Sequence, residues 1–349
     1  MPDTPDLQLA DYVPRSELVV DQHPVERSRF PAIDAHNHLG PWHDAAPETV
    51  QQLVDEMDAC NLRAYVDLDG GRRHPLSAAV TRLKEAHPGR FYVLTVLPWE
   101  EIVPQGGDIG AQLATALERA VDQGADGLKI HKTLGLRLRD EAGQLIMPHD
   151  ERLAPLFARC GELGVPCLYH VADPVAFFRP LDRHNERWEE LAHHPDWHFY
   201  GGDLPSFEAL MESQERLLEA HPGTLFQSAH VASYAENLGW VSQLLDRYPN
   251  LYVDISARLA ELGRQPFTAR DFLVRHADRV LYGTDSTPNP DCHRIYYRCL
   301  ETRDEHFPYS LGDVPGQGRW TIYGLDLPDD VLEKMYWRNA AKLYGQSPR

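Results

Sequence analysis

The stretch FPAIDAHNHLG, residues 30–40, combines the first predicted β-strand of the chain with an unusual set of polar side chains. Side chains in a strand alternate between its two faces, so residues two apart point the same way. Asp34, His36 and His38 are therefore expected on one face of this strand. Three ionisable groups on one buried face are costly unless they bind something. The histidine pair raises the question of a metal ion.

A short strand followed by a helical pattern recurs along the chain. The predicted strands cover residues 30–38, 63–70, 91–98, 126–132, 166–171, 224–231, 251–256 and 279–285. Between them, apolar residues recur at helical spacing, as in ETVQQLVDEMDACN and FEALMESQERLLEAH. Eight strands that alternate with helices predict an α/β protein of the (β/α)8 TIM-barrel type. A doubly wound open sheet is the alternative architecture.

The expected domain organisation is a single barrel over residues 30–349, with residues 1–29 as an N-terminal arm packed on its outside. Two segments are longer than a barrel needs. Residues 172–205 follow the fifth strand and residues 286–327 follow the eighth. In a barrel both begin at the C-terminal rim, where active sites lie, so we predict that these long loops cover the substrate.

Composition narrows the class of partner. The chain has 34 basic and 53 acidic residues, a formal net charge of −19, which disfavours binding to nucleic acid. No apolar run approaches the roughly 18 residues of a membrane span. The N-terminus has no basic region followed by an apolar one, so we expect no signal peptide and a cytoplasmic protein. A small-molecule substrate is expected, and the sequence leaves open whether the protein is a homo-oligomer.

Polar side chains concentrate at the ends of the predicted strands. These residues are His36, His38, Lys129, His131, His170, His230 and Asp285. In a closed barrel the strand ends converge on one axis, so these residues become neighbours. Imidazoles with a carboxylate suit a divalent ion, most simply Zn²⁺, with Mn²⁺, Fe²⁺ or Co²⁺ as alternatives. Such an ion activates water as a nucleophile, and Asp285 is placed both to bind the ion and to accept the proton of that water.

The order of these residues resembles the amidohydrolase superfamily: H-x-H on strand one, Lys on strand four, His on strands five and six, and Asp on strand eight. The sequences LYGTD (281–285) and YWRNAAKLYG (336–345) resemble more narrowly its amidohydrolase-2 branch. That branch contains lactone and amide hydrolases. It also contains metal-dependent decarboxylases related to aminocarboxymuconate semialdehyde decarboxylase. The resemblance covers about residues 30–345.

The resemblance implies a role for each of these side chains. His36, His38, His170 and Asp285 would bind one metal ion, and His230 would act with Asp285 as the catalytic acid and base. In a version with two ions, a carboxylated Lys129 would bridge them, and His170 and His230 would bind the second ion. The one-ion version is favoured.

Four residues are candidates for substrate contact. In the one-ion version Lys129 meets the substrate, together with its neighbour His131. Arg258 follows the seventh strand, and its guanidinium fork suits a carboxylate. Trp42 follows the H-x-H strand and is a candidate for an aromatic wall of the pocket.

The function predicted from the sequence is that of a metal-dependent hydrolase. Its activated water would attack an ester, lactone or amide of a small, carboxylate-bearing substrate. A metal-dependent decarboxylase or hydratase of an unsaturated or aromatic acid is the alternative with the same ligands. A catalytically silent barrel that acts as a binding protein predicts degraded ligand positions, and all of them are intact here. A metal-dependent nuclease is disfavoured by the negative charge.

Overall fold

The strands form one parallel sheet in the order of the sequence. The computed structural model describes residues 6–312 and 314–345. Its strands are β1 Ala32–Asn37, β2 Leu62–Gly70, β3 Phe91–Val96, β4 Gly127–Ile130, β5 Cys167–Tyr169, β6 Phe226–Ser228, β7 Leu251–Asp254 and β8 Val280–Leu281. Each strand pairs in parallel with the next one, from β1 through to β8. Because this order never reverses, the fold is the predicted (β/α)8 barrel and not a doubly wound sheet.

Backbone and side-chain hydrogen bonds between β1 and the residues that follow β8 close the barrel. The backbone N–H of Asp285 donates to the carbonyl of His36 at 2.8 Å. The carboxylate of Asp34 accepts from both the backbone N–H and the hydroxyl of Thr284, at 3.1 and 2.6 Å. The register of β1 slips after Asp34. Asp34, expected beside the two histidines, therefore holds the barrel closed instead.

Helices follow the strands and surround the barrel. They are α1 Pro47–Ala59, α2 Leu76–Ala79, α3 Trp99–Ile102, α4 Ile109–Asp122, α5 Thr133–Leu136, α6 Ala154–Leu163, α7 Trp188–His193, α8 Phe207–Ala220, α9 Ala229–Ala232, α10 Leu238–Arg247, α11 Leu259–Arg264, α12 Pro266–Arg275, α13 Pro290–Glu301, α14 Asp329–Glu333 and α15 Asn339–Tyr344. A π-helical segment, Val80–Glu85, extends α2, and another, Lys334–Arg338, joins α14 to α15. Helices α5 and α9 are single turns with non-helical residues inside them.

Local sequence signals account for where the longer helices begin. The side chains of Asp108, Ser206 and Asn237 each accept a backbone N–H in the first turn of α4, α8 and α10. Such N-caps replace hydrogen bonds that the first turn of a helix lacks. In α4 the apolar Leu113 and Leu117, four residues apart, are fully buried.

The apolar core has two layers. Alternate residues of the strands, such as Leu128 and Phe226, pack with the surrounding helices. The residues on the opposite strand faces, such as Ala64 and Leu168, form an inner cluster with Tyr344 of α15. The hydroxyl of Tyr344 contacts the side chain of Gln227 inside the barrel. The C-terminal helix thus lies against the inner core.

Two predicted strands are longer than the observed ones. The strand expected over 224–231 ends at Ser228, and the one expected over 279–285 ends at Leu281. His230 and Asp285 therefore lie in the turns that follow the strands. The segment 286–327, predicted as a long loop, contains α13. The segment 172–205 contains α7 and two short 3-10 helices, Val175–Phe178 and Pro195–Trp197.

The N-terminal arm touches the barrel through polar contacts. Residues 1–5 of the expected arm lie outside the described residues. Further along, His23 contacts the carboxylate of Asp304, and Arg29 pairs with Asp329 at 2.5 Å. Among the described residues, no helix is both long and apolar enough to cross a membrane.

Candidate metal centre and its pocket

Three ligand-type side chains converge at the C-terminal end of the barrel. Single ligand atoms of His36, His230 and Asp285 all lie within 4.8 Å of one another. Oδ1 of Asp285 lies 3.2 Å from Nε2 of His36 and 3.1 Å from Nε2 of His38. Its Oδ2 lies 3.7 Å from Nε2 of His230. One carboxylate therefore faces three imidazoles.

The imidazole rings of His36 and His230 are held by residues at the end of β7 and just after it. Nδ1 of His36 lies 3.0 Å from Oδ2 of Asp254 and 3.0 Å from the hydroxyl of Ser256. Nδ1 of His230 lies 2.9 Å from the backbone carbonyl of Ser256. These contacts place a proton on Nδ1 of each ring, and the Nε2 lone pair then faces the pocket.

The third imidazole is held in the same way by β2. Nδ1 of His38 lies 3.0 Å from Oδ1 of Asp69, whose other oxygen accepts the backbone N–H of Gly40 at 3.1 Å. Asp69 thereby fixes both the ring of His38 and the turn that follows it.

The donor set fits a divalent metal ion. Imidazole nitrogens and a carboxylate oxygen are ordinary ligands of such ions, and metal-binding histidines usually donate their other ring N–H to a carboxylate or carbonyl. His36, His230 and Asp285 supply such ligand atoms, and both histidines have an acceptor at Nδ1. His38 adds a fourth donor at the same carboxylate. We call His36, His38, His230 and Asp285 the metal side of the pocket.

Several residues of the metal side and its neighbours have uncommon, left-handed backbone conformations. His230, Val231, Ala257 and Asp285 all have φ between 50° and 61°. Left-handed φ values cost free energy in residues with a side chain, above all in a β-branched residue such as valine. Backbone strain of this kind clusters at functional sites. It turns the side chains of His230 and Asp285 towards His36.

A glycine allows the close approach of β8 to β1. A Cβ atom on Gly283 would lie 3.0 Å from Cβ of His36. This contact is tighter than packed side chains normally make. Gly283 thus permits Asp285, two residues later, to reach the imidazoles.

On the metal side, the negative charge of Asp285 and the positive charge of a protonated imidazole stabilise each other. Burial raises the pKa of the Asp285 carboxyl, but the contacts with His36, His38 and His230 outweigh burial and hold the pKa well below its usual range. Burial lowers the pKa of His38, but hydrogen bonds to Asp285 and Asp69 outweigh it and raise the pKa to about 9. Protons and metal ions compete for the same imidazole nitrogen.

His170 lies in the pocket but turns away from this group. Its ring centroid is 4.4 Å from that of His230. Its Nε2, however, lies 3.2 Å from the carbonyl oxygen of Ala172 and 3.3 Å from Oδ1 of Asp173. Asp173 also pairs with Lys132 at 2.5 Å. The role of His170 as a metal ligand stays a prediction, whereas His230 lies closer to the other ligands than its predicted acid–base role required.

Three further polar residues line the same pocket and have few partners. Lys129 and Arg258 are 3% and 4% exposed. Neither side chain forms an ion pair within 4.0 Å with any residue that the structure describes. Nε of Arg258 and Nδ1 of His131 have no hydrogen-bond partner there either. We call Lys129, His131 and Arg258 the open side of the pocket.

Burial dominates the electrostatics of the open side. It lowers the pKa of the Lys129 ammonium to about 8. It also lowers the pKa of His131, to about 3, helped by His170 and Lys129. Buried polar groups are costly when they lack a partner. The open side is therefore prepared for an acidic or hydrogen-bond-accepting ligand.

Both sides face one central pocket of about 300 Å³. Phe177 and Trp197, from the segment after β5, form part of its wall with their rings stacked. Arg187 is fully buried at the rim and bonds to both Glu190 and Glu261. The ion pair with Glu261 joins the segment after β5 to helix α11 and holds the rim in place.

The structure differs from the sequence analysis in the position of Trp42 and in the residues that orient the histidines. Trp42 does not line the central pocket but packs against the outer core, so its contact with substrate stays a prediction. The orienting residues Asp69, Asp254 and Ser256 were missed. Asp69 and Asp254 stand at the ends of VDLDG and LYVD, where a strand-end signal of the kind used for the histidines was available.

Similarity to known proteins shows which family the chain belongs to. A family model described as Amidohydrolase (Amidohydro_2) matches residues 33–346. The chain belongs to the amidohydrolase family. This confirms the resemblance inferred from the strand ends. No curated protein sequence matches this amidohydrolase-family chain significantly.

Solved structures share the fold at low identity. An uncharacterized TIM-barrel protein from Bordetella bronchiseptica is 17% identical, with a TM-score of 0.53, over 91% of this chain and 99% of its own. A 2,6-dihydroxybenzoate decarboxylase from Rhizobium is 17% identical, with a TM-score of 0.51, over 92% and 100%. A dihydroxybenzoic acid decarboxylase from a Polaromonas species, with bound manganese and 2-nitroresorcinol, is 16% identical, with a TM-score of 0.53, over 92% and 98%. At these identities the likeness shows the shared barrel.

Proposed function

We propose that this protein is a metal-dependent hydrolase that cleaves an ester, lactone or amide bond in a small substrate with a carboxylate group. The open side of the pocket carries the proposal. Lys129 and Arg258 are buried cations without an ion-pair partner among the described residues, and they face the same pocket as the metal side. A substrate carboxylate would give both cations a partner and offset their burial.

The residues of the metal side would divide the remaining tasks. His36, His230 and Asp285, with His38, would hold a divalent ion, which supplies Lewis-acid activation of the water and the carbonyl group when bound. Asp285 would accept the proton of the attacking water and return it to the leaving oxygen or nitrogen. Asp254 and Asp69 would keep the imidazoles in position throughout.

Decarboxylation is the second candidate. The observation that favours it is that Lys129 lines the same pocket as Asp285, whose charge raises the pKa of the Lys129 ammonium against the effect of burial. A carboxylate bound there would itself lie near the metal side and would be the group lost as carbon dioxide. Barrels of similar fold include a 2,6-dihydroxybenzoate decarboxylase and a 5-carboxyvanillate decarboxylase crystallised with manganese.

The test compares acids with their neutral esters on metal-loaded protein. We would assay carboxylate-bearing 4-nitrophenyl esters, such as 4-nitrophenyl hydrogen succinate, against the matching methyl diester. Wild type is expected to prefer the acid in kcat/KM. Arg258→Met should lose this preference by roughly 10- to 100-fold, the value of a charge-assisted hydrogen bond. Arg258→Lys, which keeps the charge but not the fork, should recover part of it.

Two results would contradict the proposal. Equal kcat/KM for the acid and the diester would remove the role of the open side. Release of carbon dioxide from 2,6-dihydroxybenzoate, with no hydrolysis of any ester, lactone or amide probe, would favour the second candidate. Incorporation of ¹⁸O from labelled water into the acid product would identify hydrolysis directly.

A further inference from the structure

A second cavity adjoins the central pocket. It has a volume of about 420 Å³ and lies between the turns after β7 and β8, helix α13, and residues 309–312 and 316–317. We call it the outer cavity. Ala257 and Gln317 line both the outer cavity and the central pocket. These two residues therefore form a wall that the two spaces share, which we call the partition.

The partition is built around one carbonyl group. The side-chain amide of Gln317 donates to the carbonyl oxygen of Ala257 at 3.3 Å. A guanidinium N–H of Arg258 donates to the same oxygen at 2.8 Å. The long bond from Gln317 is the weaker of the two, because hydrogen bonds of this kind are strongest near 2.9 Å. A ligand held by Arg258 in the central pocket would thus lie next to the partition.

The chemistry of the outer cavity differs from that of the central pocket. Among the described residues that line it, no side chain carries a formal charge. Leu259, Ala260, Ile295 and Leu311 contribute apolar surface. Uncharged hydroxyl and amide groups complete the lining, among them those of Ser286, Asn289 and the exposed Thr287. In a chain with 53 acidic and 34 basic residues, an uncharged lining of this size suits a neutral, mainly apolar group.

We infer that the outer cavity binds the neutral part of the substrate while Arg258 holds its carboxylate in the central pocket. This inference rests on the proposed function and specifies the substrate class. The substrate would be an elongated acid, whose apolar chain or ring displaces the Gln317 amide from the Ala257 carbonyl and lies beyond the partition.

Binding of simple acids tests the inference without any need for turnover. Calorimetry on the metal-loaded protein would measure the Kd of acetate, butyrate, hexanoate and octanoate. Each methylene that enters the outer cavity should tighten binding about fourfold, which corresponds to the free energy of burying one methylene. Octanoate should therefore bind much more tightly than butyrate. No dependence on chain length in the wild type would overturn the inference.

Filling the outer cavity provides the decisive comparison. Thr287→Trp places a large ring at the exposed edge of the cavity, where folding should not depend on it. This variant should bind octanoate at least tenfold more weakly than wild type. Thr81→Trp is the matched control, because Thr81 is exposed and lines neither cavity. The control should keep the dependence on chain length, and the inference fails if Thr287→Trp keeps it as well.

A third variant separates this inference from the proposed function. Arg258→Met should weaken the binding of all four acids by a similar factor, because it removes the partner of their shared carboxylate. Unchanged binding of acetate in Arg258→Met would contradict the proposed function. A retained advantage of octanoate in Thr287→Trp would contradict only the role of the outer cavity.

Discussion

The two sides of the central pocket differ in how completely their polar groups are paired. On the metal side, each of the three imidazoles has an acceptor at Nδ1 and faces Asp285 through Nε2. On the open side, Arg258 and His131 keep buried nitrogen atoms without any described partner. The protein organises the first group by itself. In the proposed function a substrate carboxylate completes the second group, which is the division expected between a catalytic centre and a recognition surface.

The largest effect is expected from removing the charge at the centre of the metal side. Asp285→Asn takes away the acceptor shared by His36 and His38 and the base of the proposed reaction. We expect kcat to fall by roughly 1,000-fold or more, with the fold retained, as for other groups that take part directly in catalysis. Steady-state kinetics and far-UV circular dichroism provide the two measurements.

The matched control for this prediction is Asp271→Asn, since Asp271 is exposed on α12 and lines neither cavity. Its activity should equal that of the wild type. Near-normal turnover in Asp285→Asn would contradict the assignment of the metal side.

A smaller effect, on metal affinity, is expected from substitution of Asp254, which contacts the imidazole of His36. Asp254→Asn keeps the size of the side chain but weakens its hydrogen bond to Nδ1 of His36. Loss of such a supporting carboxylate typically costs 10- to 100-fold in metal affinity. Competition with a chelator would measure the Kd of the metal. An unchanged Kd would mean that the pairing on the metal side does not serve metal binding.

The sequence predicted which residues form the metal side, but not how closely they approach one another. The positions of His36, His230 and Asp285 at strand ends followed from the alternation of strands and helices. Their exact approach did not, because His230 and Asp285 lie in left-handed turns after short strands, and φ values are not visible in a single sequence.

The open side was only partly visible in the sequence. Arg258 was singled out by its place after β7. Whether an arginine near a strand end pairs with a carboxylate or stays free depends on loops far away in the chain. Arg187 illustrates the other outcome, because it is fully buried and bonds to Glu190 and Glu261. Sequence position alone does not distinguish the two arginines.

The smallest predicted effect concerns stability away from the pocket. His293 is buried between the hydroxyls of Tyr65 and Tyr282, at 2.8 and 2.7 Å, and burial lowers its pKa to about 3. The unfolded chain, with a pKa near 6.5, binds this proton more readily than the folded one. Stability due to His293 is therefore full above about pH 6.5 and is lost as the pH falls towards 3.

Denaturant unfolding at several pH values tests this prediction. His293→Gln, which can still bond to the tyrosine hydroxyls, should reduce the loss of unfolding free energy by up to about 1.4 kcal/mol per pH unit in that range. Its activity should match that of the wild type, since His293 lines neither cavity. An unchanged pH dependence would show that His293 is not held in its neutral form.

Metal content per chain tests the central assignment most directly. It is measured by elemental analysis of protein purified without added metal or chelator. We predict about one divalent ion per chain, held on the metal side, with Lys129 free to meet the substrate. About two ions per chain would make Lys129 a bridging ligand and contradict its place on the open side. No ion, and no binding of added Zn²⁺ or Mn²⁺, would contradict the metal centre itself.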